Sequence, residues 1–206
     1  MSEGVAGRPS DHYSPAQKAL HWTIALLIAV MVPVGISMAN FMEPGTPLTN
    51  ALYELHKSIG LVVFGLALAR IVVRWRRSAP PLVPGLPAWQ RAAARGSHLA
   101  LYILIVLVPV FGWAATSTCC APVKLFWTVP VTLPLEGGMD AAKPIFRVHY
   151  ALAFTLTGLV LIHAGAALHH HFVRRDRTLA RMWPGSERSA SGPRAPISRH
   201  AGPGSA

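Results

Sequence analysis

The chain has 206 residues, of which 52% are hydrophobic and only 13% are charged, and its net charge is +11. A soluble domain carries about 25% charged residues, so this composition cannot supply the water-facing surface of a soluble protein. Excess Lys and Arg can indicate nucleic-acid binding, but in a membrane protein the same excess collects on one side of the bilayer. The composition therefore predicts an integral membrane protein surrounded by lipid, with no nucleic acid among its partners.

Four apolar runs are each long enough to cross a hydrocarbon layer roughly 30 Å thick. All four are interpreted as helices, because open strands cannot satisfy their backbone groups in lipid. The first run starts at a capping-box pattern, with Ser14 as N-cap, Pro15 at the first helical position and Gln17 three residues after the cap. The predicted fold is an all-α, four-helix membrane bundle over residues 14–183, with helices at about 15–41, 52–73, 98–117 and 145–173.

The two ends of the chain differ from this bundle. Residues 1–13 form a polar N-terminal segment, and residues 184–206 form a tail rich in Gly, Pro, Ser and Arg. A tail of this composition holds almost no apolar surface to bury, so we expect it to be disordered.

The loops predict the orientation in the membrane. Arginines without any acidic residue fill the segment 74–95, and more arginines follow the fourth run, whereas the loop 42–53 contains neither Lys nor Arg. Because basic residues stay on the cytoplasmic side, both termini and the middle loop are predicted to be cytoplasmic. The sequence thus predicts a multi-pass membrane protein with both ends of the chain in the cytoplasm.

The two cysteines of the chain, Cys119 and Cys120, are adjacent. Neighbouring cysteines rarely pair, and two alone do not make a zinc site. The motif C-x-x-C-H is absent, so no covalent haem attachment is expected.

Ionisable residues within a membrane span are costly and often functional. Among the histidines of the predicted spans, the four that matter most are His21, His56, His149 and His163. His149 and His163 are 14 residues apart, which places them within about 40° of one helix face and about 21 Å apart along it. The side from which each helix enters the membrane gives the depth of each histidine, and these depths agree in two pairs. His21 lies with His163 in the inner half, and His56 lies with His149 in the outer half.

Two imidazoles that face each other across a bundle suit the two axial positions of a haem b. We therefore predict two haem b groups, one held by His21 and His163 and the other by His56 and His149. With both axial positions filled, such groups pass electrons rather than bind oxygen. Arg70, late in the second span, is expected to pair with a haem propionate.

Short motifs surround these histidines: Leu20-His21-Trp22, Leu55-His56-Lys57-Ser58-Ile59-Gly60, Ala69-Arg70, His98-Leu99-Ala100-Leu101-Tyr102, Val108-Pro109-Val110-Phe111-Gly112-Trp113, and the run from His149 through His163 to His170. Over about residues 13 to 184, the chain resembles the bacterial cytochrome b561 family. The resemblance implies that His21, His56, His149 and His163 bind two haems b. It also implies superoxide oxidation, in which superoxide on the outer side reduces the haems and the haems reduce ubiquinone.

Basic residues near the predicted outer surface are compatible with an anionic substrate. These residues are Lys57, Lys124, Lys143 and Arg147. Either they steer superoxide inward, or they extend to lipid headgroups. At the inner surface, the resemblance favours His170 as a quinone contact, and it lies on the face of His163, about 10 Å further in. His98 and Lys18 are further quinone candidates, while a helix points the run His169–His171 in different directions and so disfavours a metal site.

Two other functions fit the same sequence. A cytochrome b anchor subunit, which links a partner dehydrogenase or hydrogenase to the quinone pool, has a similar histidine pattern. The compact outer loops slightly favour a protein that acts without such a partner redox subunit. A haem-free bundle with structural histidines is the third hypothesis, and a visible absorption spectrum distinguishes it from the other two.

Overall fold

The computed structural model describes residues 12–120 and 122–184, and most of these residues belong to four long α-helices. The helices are Pro15–Asn40 (α1), Pro47–Arg76 (α2), Ala88–Cys119 (α3) and Gly138–Phe172 (α4), and a two-stranded antiparallel ribbon, Lys124–Leu125 (β1) with Val129–Pro130 (β2), joins α3 to α4. A short 3₁₀ turn, Ala180–Met182, follows α4. All four α-helices are long and apolar enough to cross a membrane, which confirms the predicted all-α membrane bundle.

The helix boundaries predicted from apolar content were wrong at several ends. The structure begins α2 at residue 47 instead of 52, α3 at 88 instead of 98, and α4 at 138 instead of 145. Thr46 explains the first difference, because its side chain accepts a hydrogen bond from the Thr49 backbone N–H at 3.2 Å and Pro47 occupies the first helical position. Hydropathy marks only the part of a helix that crosses lipid, and polar turns continue each helix beyond it.

The predicted start of α1 is confirmed in detail. The Ser14 hydroxyl accepts from the Gln17 backbone N–H at 3.3 Å, and the Gln17 side chain accepts from the Ser14 backbone N–H at 2.9 Å. The Gln17 amide also donates to the Arg77 carbonyl at 3.0 Å, which ties the start of α1 to the end of α2. The helix then continues through Pro33 to its end. The disordered tail predicted for 184–206, and most of the polar segment 1–13, lie outside the described residues.

The core is a small apolar cluster where α1, α2 and α3 meet. Ile24, Val63, Ala67 and Ile105 are buried there. Many other large apolar side chains are exposed, among them Leu26, Leu161 and Ile162 at about two-thirds of their full area. Because lipid and not water surrounds a transmembrane bundle, such side chains need no protein cover.

The loop between α3 and α4 closes one end of the bundle. Ser58, fully buried on α2, donates to the Lys124 carbonyl at 3.3 Å and accepts from the Phe126 backbone N–H at 2.8 Å. The Trp113 indole donates to the Val131 carbonyl at 2.6 Å. The ribbon is thereby fastened over α2 and α3. We call this the outer end of the bundle, after the predicted orientation, and the opposite end, with the α2–α3 loop, the inner end.

Cys119 and Cys120 are joined by a disulfide, so the expectation that these neighbours stay unpaired was wrong. Cys119 is the last residue of α3, and Cys120 has left the helix with extended backbone angles, φ −123° and ψ −178°. Two consecutive residues within a helix point their side chains about 100° apart. Because Cys120 lies beyond the helix end, its side chain is released from that constraint and reaches its neighbour.

Candidate cofactor-binding site

Eight residues, six of them predicted from the sequence, lie at two levels along the bundle, and every helix contributes one residue to each level. The outer level contains Gly35, His56, Gly112 and His149, and the inner level contains His21, Arg70, His98 and His163. On each helix the two residues are 14 positions apart, so they share a face at a separation of about 21 Å. The bundle therefore presents two sets of four residues, each containing histidines, with one set near each end.

At each level the structure brings together two histidines from different helices. The ring centres of His56 and His149 are 6.4 Å apart, and those of His21 and His163 are 6.3 Å apart. Two metal–nitrogen bonds of about 2 Å, extended to the centres of the two rings, place those centres about 6 Å apart. Both distances therefore suit a single metal ion bound between two imidazoles.

His149 is held by the backbone of α3. Its Nδ1 lies 2.9 Å from the Val108 carbonyl, which accepts a hydrogen bond from the protonated nitrogen and leaves Nε2 as the available ligand. Gly112 permits this approach, because a Cβ at that position would lie 3.0 Å from both Cε1 and Nδ1 of the ring. A backbone acceptor that fixes the tautomer is the usual second partner of a metal-binding histidine.

His56 is placed in a similar way against α1. A Cβ at Gly35 would lie 3.2 Å from Cε1 of the His56 ring, so the absence of a side chain makes room for the imidazole. Its Nδ1 is buried and has no hydrogen-bond partner within residues 12–120 and 122–184. A buried polar atom without a partner is costly, and it indicates a group that the polypeptide alone does not supply.

A cavity of about 900 Å³ surrounds the outer pair and reaches the outer end of the bundle. His56 and His149 line it together with Gly35, Gly112 and many apolar side chains. Cavities that hold cofactors and other small ligands are typically about 300–1,000 Å³ and mostly apolar. The outer level thus combines paired imidazoles, glycine-lined walls and room for a large flat cofactor, and its residues fit a haem.

The rim of this cavity is basic. Lys57, Lys143 and Arg147 line it, whereas Lys124 lies outside it, exposed on β1. Lys57 is paired with Glu54, and Lys143 with Asp140 at 2.8 Å. Arg147 is exposed and has no ion pair within the described part of the chain.

The inner level contains a third imidazole. The ring centre of His98 is 5.4 Å from that of His163, closer than His21 is to the same ring. Of these two contacts, only the one between His21 and His163 has the separation that suits an intervening metal. His98, predicted from sequence as a quinone contact, therefore lies beside the inner histidine pair.

Arg70 lies at the inner level, where its guanidinium donates to the Gln17 carbonyl at 3.2 Å. The same group lies over the Tyr102 ring, 5.7 Å from its centre. These contacts hold a positive charge close to the inner histidines. A cation at this depth is suited to an acidic group of a bound cofactor.

His170 forms a small polar network beyond the inner level. Its Nδ1 lies 2.5 Å from an Asp176 carboxylate oxygen, and the Thr178 backbone N–H donates to the other oxygen at 2.9 Å. Burial alone would raise the pKa of Asp176, but the hydrogen bonds from Thr178 and His170 outweigh it and lower the pKa to about 2. The carboxylate is therefore ionised at neutral pH and accepts a hydrogen bond from Nδ1–H of His170, which leaves Nε2 as the ring nitrogen that can contact a ligand.

The remaining residues predicted from the sequence do not belong to the network around His170. Lys18 is buried in the first turn of α1. His169 and His171 flank His170, and the His171 ring packs on Phe172. Among residues 12–120 and 122–184, no cluster of three or more His, Cys, Asp or Glu side chains is arranged to hold a metal ion. A haem iron needs only two protein ligands, so a haem does not require such a cluster.

Sequence reasoning missed the two glycines, the Val108 carbonyl and Asp176. A signal for the glycines was present, because Gly35 follows His21 by 14 residues and Gly112 follows His98 by the same interval. This interval equals the spacing of His149 and His163 on the last span. No comparable signal marks Asp176, since its contact with His170 depends on the turn that follows α4.

Comparison with known proteins agrees with the geometry. A family model described as prokaryotic cytochrome b561 matches residues 12–185. The chain is 32% identical over 176 residues to cytochrome b561 homolog 1 of Escherichia coli (strain K12), covering 84% of this chain and 98% of that protein. It is 34% identical over 178 residues to cytochrome b561 homolog 2 of the same organism, covering 84% and 91%. A more distant relative, at 27% over 172 residues, covers 84% of this chain and 96% of its own length and is named probable superoxide oxidase CybB, from Yersinia pestis.

A helical membrane bundle, two pairs of facing imidazoles and a match over nearly the whole described chain lead to one assignment. The chain belongs to the prokaryotic cytochrome b561 family.

Proposed function

We propose that this protein is a di-haem oxidoreductase that takes electrons from superoxide at its outer end and delivers them to ubiquinone at its inner end. The observation that carries the proposal is the equal separation of two histidine pairs, 6.4 Å and 6.3 Å, at two levels of one bundle. Membership of the family implies haem b binding. The number of haems, their ligands and both substrates belong to the proposal.

Each level has residues suited to one haem. His56 and His149 would hold the outer one, and His21 and His163 the inner one, with Arg70 pairing with a propionate. A haem b bound by two histidines would supply one-electron transfer. The Val108 carbonyl keeps His149 in the tautomer that leaves Nε2 free, and the glycines keep both outer rings close to the helix backbones.

The basic rim of the outer cavity supports superoxide as the electron donor. Lys57 and Lys143 are each paired with a carboxylate, so Arg147 contributes the most effective positive charge at the rim. A positive rim on a low-dielectric cavity raises the local concentration of an anion. The relative named probable superoxide oxidase supports the same substrate, although it is only 27% identical.

The network beyond the inner level supports quinone reduction. A quinone takes up protons together with electrons, so its site needs a hydrogen-bonding group that can exchange a proton. Asp176 holds Nδ1 of His170 and directs Nε2 away from the carboxylate. In its doubly protonated form His170 would donate from Nε2 to a quinone oxygen, while His98 and the buried Lys18 are the other predicted contacts at this end.

Rapid mixing of the oxidised, haem-loaded protein with superoxide tests the outer half of this proposal. We expect haem reduction within milliseconds in the wild type. In Arg147→Gln the rate should fall by about 3- to 10-fold at low salt, because the steering charge is lost. This difference should shrink at high ionic strength, where the charge is screened.

Lys124→Gln is the matched control, since it removes a cation that lies near the same surface but outside the cavity, and its rate should stay near that of the wild type. No haem reduction by superoxide in the wild type would contradict the proposed donor. That result would favour the anchor-subunit hypothesis, in which a partner protein supplies the electrons.

Replacement of His170 tests the inner half. In His170→Gln, oxidation of the reduced protein by a short-chain ubiquinone should slow by about 100-fold, because a proton-exchanging group is lost. Asp176→Asn should have a smaller effect in the same direction, since His170 remains but loses its carboxylate partner. Superoxide-driven haem reduction should not change in either variant, and His171→Gln is the control. Equal ubiquinone rates in wild type and His170→Gln would exclude His170 from the quinone site.

A further inference from the structure

The disulfide between Cys119 and Cys120 adjoins the outer cavity. Cys120 lines that cavity together with His56 and His149, and it is exposed at the surface. Cys119 lies seven residues after Gly112, the glycine that contacts His149. Seven residues are nearly two helical turns, so Cys119 lies on the same face of α3 as Gly112 and about 10 Å further out.

The end of α3 holds this disulfide in a fixed position. Residues 115–118, immediately before it, are buried. The Thr116 hydroxyl donates to the Gly112 carbonyl at 2.8 Å, and the Ser117 hydroxyl accepts from the Leu133 backbone N–H at 3.1 Å. The disulfide therefore lies at a rigid helix end, between the outer surface and the outer histidine pair.

The surroundings favour thiol chemistry at this position. Lys143 and Arg147 line the same cavity as Cys120. A net positive charge in the cavity favours the thiolate, which is both the attacking and the leaving species in thiol–disulfide exchange. An exposed disulfide is also open to attack by an external thiolate, whereas a buried one is not.

We propose that the Cys119–Cys120 disulfide is a redox site that accepts two electrons from an external dithiol and passes them to the outer haem. The external thiolate attacks the sulfur of Cys120, the exposed residue of the pair, breaks the Cys119–Cys120 bond and forms a mixed disulfide. The second external thiol resolves it, so the external dithiol becomes a disulfide and Cys119 and Cys120 become thiols. Re-formation of the Cys119–Cys120 bond then releases two protons and two electrons. The electrons would leave one at a time, the first leaving a disulfide radical anion and the second the neutral disulfide, to the haem that His56 and His149 would hold.

This inference rests on the proposed electron path from the outer haem to the quinone, but it does not require superoxide as a substrate. It adds a second class of electron donor, a dithiol, at the same end of the bundle. The balanced overall reaction converts one dithiol and one quinone into one disulfide and one quinol.

The test uses the haem-loaded protein in detergent without oxygen, with dithiothreitol as the dithiol. Labelling with a maleimide followed by intact-mass measurement should show no labelled cysteine before dithiothreitol and two after it. Haem reduction by dithiothreitol, followed by absorbance, should be about tenfold or more faster in the wild type than in a Cys119→Ser, Cys120→Ser double variant. Wild-type protein that has been reduced and then alkylated provides a second blocked form, and it should be as slow as the double variant.

Two results would overturn the proposal: no labelled cysteine after dithiothreitol, or equal haem reduction rates in the wild type and both blocked forms. Superoxide-driven haem reduction, measured on the same three samples, tests the proposed superoxide activity separately. If superoxide fails to reduce the haem in all three while the dithiol effect remains, the proposed superoxide activity is wrong and the disulfide site stands. If the dithiol effect is absent while superoxide reduces the haem, the disulfide site alone is wrong.

Discussion

His149→Ala should reduce the haem content from two to about one haem b per chain, because a bis-histidine site loses one of its two protein ligands. The remaining haem should be the inner one, since His21 and His163 keep their separation of 6.3 Å. His56→Ala should give the same result, as it removes the other member of the outer pair. The measurement is the pyridine haemochrome content per chain, together with the reduced α-band spectrum.

The control for this experiment is His171→Ala, which removes an exposed histidine from the same helix and should retain both haems. His163→Ala should remove the inner haem and retain the outer one, so the two single variants should lose different spectral components. A His149→Ala protein that still carries two haems, or a wild type that is colourless, would contradict the pairing.

Gly112→Ala should disturb the outer haem without removing any of its ligands. The added methyl group would lie 3.0 Å from Cε1 and Nδ1 of His149, which is too close, so the ring must move away from the backbone. That movement weakens the hydrogen bond to Val108 and shifts the ring relative to His56. We expect partial loss of the outer haem and a shift of its α band, with the inner haem unaffected.

Two other glycines make this a graded experiment. Gly35→Ala should have a smaller effect, because its Cβ would lie 3.2 Å from the His56 ring and needs less movement. Gly65→Ala is the control, since a Cβ there has no neighbour within 4 Å, and the exchange should stabilise α2 by up to about 1 kcal/mol. Equal haem content and spectra in Gly112→Ala and Gly65→Ala would show that the imidazole does not lie against α3.

The membrane fold was largely predictable because lipid imposes a simple rule on the sequence. A span must be long, apolar and helical, so four runs predict four helices. The ends of the helices were less predictable. Thr46 and Pro47 start α2 outside the apolar run, and a hydropathy pattern contains no information about such polar turns.

The candidate site was predictable where one helix carries two members of it. The spacing of His149 and His163 defines a face and a distance by helical geometry alone. Contacts between helices follow a different rule, since they depend on how close two backbones come. The approach of His149 to Gly112 is of this second kind, whereas the pairing of Cys119 with Cys120, which was not expected, depends on the backbone leaving α3 between them.

The amino-acid sequence by itself determined that this protein spans a membrane four times and offers histidines at two depths, because periodicity and apolar length are properties of a single helix. The sequence also paired these histidines by depth, but only the tertiary structure decided how closely the paired rings approach, that His98 lies beside His163, and that the disulfide adjoins the outer cavity. These features depend on the packing of separate helices and on the backbone that leaves α3 at Cys120. No local pattern of residues encodes either one.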